Sequence, residues 1–375
     1  VTGTLHIQHG QVVCYRTYDA AEEFDLTRAS QALMDQVASR ASFRRVKPAH
    51  LQVQDPPLQV RMGTTKVTAG DTTLDGEVIL RLFATGVASV GLWLVLPPGT
   101  PLEDLPRLVA RLNDNVEVDN LCASMVRRLM STVGAAAKAP RQALGVMEDY
   151  CVVLVRSFDR DIQMTELRRA PALAAILLGE EADAPPLSRQ ALRAALGRSL
   201  SYYGDELVLM DWNAAFVFDP RGGEDVADIL EFTTQQLVEF RYYDAFLDTQ
   251  LDRIYDEVEK RARKPFRSLL GGDWGRLATD LMMLRVELTE VTEKIDNSLK
   301  LAGEPFLARV YLAAVERFRI PQWRVSVEEK ITLIDELVGL VRGEITSQKS
   351  VALETAVVLL IVLEIVITLT GIAQH

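Results

Sequence analysis

Residues 223–262 read GEDVADILEFTTQQLVEFRYYDAFLDTQLDRIYDEVEKRA. Apolar side chains fall at Val226, Leu230, Leu237, Phe240, Leu247, Leu251, Ile254 and Val258, with Thr233 filling one step. The steps alternate four and three, a 3.5-residue seam of coiled-coil type. No proline interrupts the stretch, so one long helix is expected. One seam position, Asp244, is charged, and Arg241 lies one turn before it. A buried aspartate without a partner neutralises or destabilises its surroundings. Asp244 is therefore expected to pair with Arg241 or a neighbouring helix. With Glu239 and Tyr243 these residues form a candidate buried polar network.

Downstream the same rhythm returns at Leu277, Leu281, Leu284, Leu288, Val291 and Ile295. Pro305 suits a first helical position. Ser326 with Glu329 three residues on reads as a capping box opening a last helix, whose seam runs from Val327 to Ile345. Three matching seams predict a bundle of antiparallel neighbours over 223–350. Its first turn holds Lys260, Arg261, Arg263, Lys264, Arg267 and Trp274. Such a cluster can complement a helix dipole, touch a membrane surface or bind an anion such as RNA. These three readings stay open.

Residues 351–372 read VALETAVVLLIVLEIVITLTGI, and no Lys or Arg follows them. Length, composition and flanking charge predict a single-pass, tail-anchored transmembrane helix with the N-terminal bulk in the cytoplasm. Glu364 stands mid-span, where a carboxylate costs about 2.5–3.5 kcal/mol on insertion scales. Thr368 is one helical turn on, whereas Glu354 falls on another face. Several copies turning Glu364 inward would relieve the cost, so a homo-oligomer is expected.

Upstream of 223, strand-like runs alternate with helical ones. Residues 1–145 read as an α/β region, and 146–222 as an α/β segment ending in a hairpin. The expected class is α+β, with a long-helix antiparallel bundle whose last helix continues into the membrane. A net charge of −11 argues against a general nucleic-acid binder, and no direct DNA binding is expected. The cysteines, Cys14, Cys122 and Cys151, show no C-x-x-C spacing or disulfide framework, which favours a reducing compartment. No phosphate-binding loop, dinucleotide fingerprint, catalytic triad signature or metal spacing occurs, so no enzyme, cofactor or metal is expected.

Two tracts carry a family resemblance. DELVLMDWNAAFVFDP with LEFTTQQLVEFRYYDAFLDTQLDRIYDEV, and the segment from KIDNSLKLAGEPF to LETAVVLLIVLEIVI, resemble the required-for-meiotic-nuclear-division family over residues 145–372. Thr234 stands where that family's pattern has asparagine. The resemblance implies a bacterial member at the cytoplasmic (inner) membrane with one C-terminal span and no enzymatic activity. It also implies a scaffold or assembly role, tethering translation machinery such as the ribosome. The expected partners are the lipid bilayer, further copies of the chain, and a ribosome or other protein. By layout alone, an oligomeric ion-conducting protein of CorA-like design is the alternative.

Overall fold

The computed structural model describes residues 4–33, 38–40, 52–53, 56–141, 144–180, 185–262, 277–283, 285–286, 299–300 and 305–372. The chain divides into two compact units, Val1–Tyr242 with Lys294–Trp323, and Tyr243–Glu293 with Arg324–His375.

The first unit is built on a large mixed sheet. Its strands are β1 (His6–Asp19), β2 (Ala38–Arg40), β3 (Leu58–Ala69), β4 (Thr72–Leu82), β5 (Val87–Val95), β6 (Thr100–Pro101), β7 (Met147–Phe158), β8 (Ser199–Leu200), β9 (Leu207–Met210) and β10 (Ala214–Phe218). The order across the sheet is β8-β9-β10-β7-β1-β5-β4-β3-β2, with β6 beside the start of β1. All pairings are antiparallel except β7 with β10, which run parallel. That parallel step needs a crossover. The chain between these strands supplies helices α4 (Met164–Leu167), α5 (Pro171–Leu178) and α6 (Arg189–Leu196), which follow α1 (Leu26–Ala32), α2 (Leu105–Asn113) and α3 (Val116–Val133).

The central strands are buried on both faces, so their sequences read as nearly continuous apolar runs. One face packs a core of Val12, Cys14, Val153 and Cys151 with Leu105, Val109, Cys122 and Val126. Arg16 enters the same layer fully buried, its guanidinium donating to Asp119 Oδ1 at 2.6 Å and to the carbonyls of Leu112 and Asn113 at 2.9 and 2.8 Å. It thus satisfies carbonyls that the end of α2 leaves open.

The other face carries the first half of α7 (Glu224–Ala262). Every residue from 231 to 240 is buried, and Phe232 meets Phe83 edge-on at 5.5 Å between ring centres. Helices α8 (Pro305–Arg317) and α9 (Ile320–Ile372) follow.

In the second unit, Leu247, Leu251 and Ile254 of α7 are buried, as are Leu277 and Leu281 of a helical stretch at 277–283 and Val327, Ile334, Val338 and Val341 of α9. The 3.5-residue seam therefore marks the apolar core of this unit.

Two expectations need correction. The chain is not an N-terminal α/β region followed by a separate bundle: one sheet runs through residues 6–218, and the first half of α7 completes its second face. The expected transmembrane helix at 351–372 also falls. Among the described residues no helix is long and apolar enough to cross a membrane. The single-pass, tail-anchored and inner-membrane readings rested on that span and fall with it.

Candidate functional site

Strand register brings four polar side chains into one row across the sheet. Arg81 of β4 pairs with Ser89 of β5, Ser89 with Thr17 of β1, and Thr17 with Glu148 of β7. All four are buried. The Thr17 hydroxyl donates to Ser89 Oγ at 3.3 Å. Helix α7 crosses this row. Its Glu231 and Asp228 hold Arg81, the latter at 2.7 Å, and its Arg241 is ion-paired with Glu148. Glu231 to Arg241 is ten residues, about 15 Å of helix. Four neighbouring strands span about 14 Å. The match lets one helix engage both charged ends of the row.

Between these ends lies Glu239. Gln235 donates to its carboxyl, the Thr85 hydroxyl bonds it, and Gln235 Nε2 also donates to Thr85 at 2.9 Å. Burial pushes the Glu239 carboxyl up to about 8, against the pull of those two bonds. Nearby Asp19 is pushed to about 6 by burial, opposed by Arg141, whose Nε donates to it at 2.9 Å. Burial thus favours the protonated form of the Glu239 carboxyl. Of its polar neighbours, Gln235 and Asp19 are buried and Thr85 is half-buried.

An open cleft of about 670 Å³ lies at the β9–β10 turn, lined by Ala194, Arg198, Asp211, Trp212, Glu316, Arg317 and Arg319. Arg198 is paired with Glu316, and Arg317 with Asp211 at 3.4 Å. Trp212 is 41 % exposed. The cleft wall is set by the joint between α8 and α9. Arg319 takes φ +54°, ending α8 and turning the chain into α9. Phe318 is thereby buried edge-on to Tyr150 (5.0 Å) and Trp212 (6.4 Å). The cleft size suits a small ligand, and guanidinium groups suit an anion.

The expected polar network is dispersed. Arg241 faces Glu148 and stacks 5.7 Å over Trp323. Glu239 sits in its own pocket, and Tyr243 is buried. Asp244 pairs with Lys330 of α9 at 2.8 Å and accepts from Ser326 Oγ at 2.6 Å, so a neighbouring helix is its partner. Lys330 also meets Asp248 at 2.7 Å. Of the basic cluster, Lys260 is exposed and lies 3.8 Å from Asp256. The side chain of Arg261, and all of Arg263, Lys264, Arg267 and Trp274, lie outside the described residues, as does the side chain of Thr368. Glu354 and Glu364 are exposed. The buried row and the cleft went unforeseen. Register across the sheet creates the row, and no local spacing signals it.

A family profile described as the N-terminal domain of the uncharacterized protein MJ0711 matches residues 9–225, more than half of the chain. The chain belongs to that family. The match covers the sheet and ends where α7 begins. The protein MJ0711 of Methanocaldococcus jannaschii is 25 % identical over 179 residues, which cover 47 % of this chain and 53 % of that protein. The chain thus spans about half the length of the curated relative it matches. No solved structure matches. These findings replace the resemblance to the required-for-meiotic-nuclear-division family. That resemblance was carried mainly by long helices, where a shared 3.5-residue seam reflects packing geometry more than descent.

Proposed function

We propose that the chain is a self-associating scaffold, assembled through the C-terminal part of α9. One observation carries this reading: every described residue from 353 to 365 is exposed, including Leu353, Val357, Leu359, Leu360, Ile361, Val362, Leu363 and Ile365, each at least half accessible. A helix that is apolar on all sides is ordinarily covered. One neighbour covers one side only, so further copies of the same helix, packed around it, suit the geometry best. Upstream in the same helix, Val327, Ile334 and Val338 are already buried in helical packing. Tethering of translation machinery rested on the resemblance that the family match replaces, and an ion-conducting oligomer has no span among the described residues on which to build a pore.

The test is light scattering on the full chain at micromolar concentration, beside Leu359→Lys with Val362→Lys. The parent is expected to run as a multiple of the chain mass and the double variant as a single copy. A monomeric parent, or one that binds lipid vesicles as a monomer, would overturn the reading.

The cleft at Trp212 favours a second reading, a module that binds a small anion. Here an anionic ligand would raise the melting temperature of the parent and leave that of Arg319→Glu unchanged.

A further inference from the structure

The three cysteines are far apart in sequence, and two of them meet in the fold. Cys14 of β1 stands directly opposite Cys151 of β7 in the antiparallel register. Their sulfurs lie 2.9 Å apart across 137 residues of chain, and both side chains are fully buried. Directly opposed residues on adjacent antiparallel strands bring their Cβ atoms within about 4.5–5.5 Å, close to the reach of a disulfide. Both residues point into the same core layer as Cys122.

The surroundings are unusual for buried thiols. Arg16, two residues beyond Cys14, points to the same side of β1. It is fully buried and fixed by Asp119 and by two carbonyls of α2. Its positive charge acts on both Cys151 and Cys122 and favours their thiolates, against the burial that raises both thiols. The cation is held in place whether or not the sulfurs react. A metal does not explain the cluster: among the described residues no three His, Cys, Asp or Glu side chains could hold one.

We infer that Cys14 and Cys151 form a covalent modification site, closing into a cross-strand disulfide that joins β1 to β7. A peroxide-class oxidant balances the step. One thiolate attacks the peroxide, breaking its O–O bond to give a sulfenic acid and hydroxide, which takes up the proton lost by that thiol. The second sulfur then displaces the sulfenic oxygen as water, forming the S–S bond. Two thiols and one hydrogen peroxide become one disulfide and two waters. Hydrogen peroxide is small and uncharged, which suits a site without solvent exposure, and burial makes the closure slow compared with that of a surface thiol.

The test uses the full chain, reduced or treated with hydrogen peroxide, then denatured, alkylated and mapped by mass spectrometry. All three cysteines are expected to alkylate in the reduced protein. After peroxide, Cys122 alone should alkylate, with the peptides of Cys14 and Cys151 linked and lighter by two hydrogens. Dithiothreitol should restore all three sites. Cys122→Ala should form the same link at the same rate. The inference is overturned if Cys14 and Cys151 still alkylate after oxidation, if either stops at a sulfinic acid, or if the link joins Cys122 or two separate chains.

Discussion

Glu239 shows how burial sets the chemistry of a single side chain. Its carboxyl is pushed up to about 8 from an ordinary value of 4.5, chiefly by burial. Between those values the folded chain holds a proton that the unfolded chain releases. Stability is then full below the unfolded value and falls as pH rises through the folded one. Asp19, pushed to about 6, adds a smaller slope of the same sign at lower pH. The urea midpoint of the parent is expected to fall between pH 5 and 9. Glu239→Gln keeps a neutral amide in the pocket, so it should match the parent near pH 5 and exceed it by up to about 4 kcal/mol at pH 9. Parallel pH curves for the two proteins would show that the proton is held elsewhere. Arg81 gives the opposite case. Removing it as Arg81→Met leaves Asp228 and Glu231 without their cation. The expected loss is about 3–5 kcal/mol at pH 8, and less at pH 5, where Glu231, already raised by burial, takes up a proton more readily.

At the level of elements, the sequence is legible where packing is periodic and illegible where register decides. The seam from Leu247 to Ile254 was readable because one helical face is apolar and the others are not. The first half of α7 was misread as an ordinary bundle helix, because Glu231 and Gln235 look solvated in sequence. They are buried because Arg81 of β4 and Thr85 of the β4–β5 turn stand beneath them, more than a hundred residues upstream in the chain. The start of α9 was misplaced for a similar reason. Ser326 and Glu329 mimic a capping box, yet the helix begins at Ile320 and the Ser326 hydroxyl donates to Asp244. Pro321 does not interrupt this helix, because it sits in the first turn, where its missing N–H costs nothing. The true boundary is the left-handed residue Arg319. A non-glycine there costs about 1 kcal/mol, so Arg319→Gly is expected to raise stability by up to about 1 kcal/mol in urea unfolding. A loss of similar size would mean that the Arg319 side chain contributes more than its backbone costs.

Across the whole molecule, stability is carried by two cores with separate polar anchors. In the first unit Arg81 ties β4 to α7 through Asp228 and Glu231. In the second, Lys330 ties α9 to α7 through Asp244 and Asp248. Lys330 is pulled two ways: burial disfavours its charge, the two carboxylates favour it more, and the net shift is upward. Lys330→Ala would leave the half-buried Asp244 with the Ser326 hydroxyl but no cation, at a cost of about 1–3 kcal/mol. The two anchors share no partner, so their effects should add. Arg81→Met with Lys330→Ala is expected to lose the sum of the single losses to within about 0.5 kcal/mol. Scanning calorimetry can also assign each loss: Lys330→Ala should shift the unfolding of the helical unit, and Arg81→Met that of the sheet. A coupling well beyond 0.5 kcal/mol, with one transition moving as a whole in both variants, would mean that α7, which runs through both units, transmits the loss of either anchor to the other core.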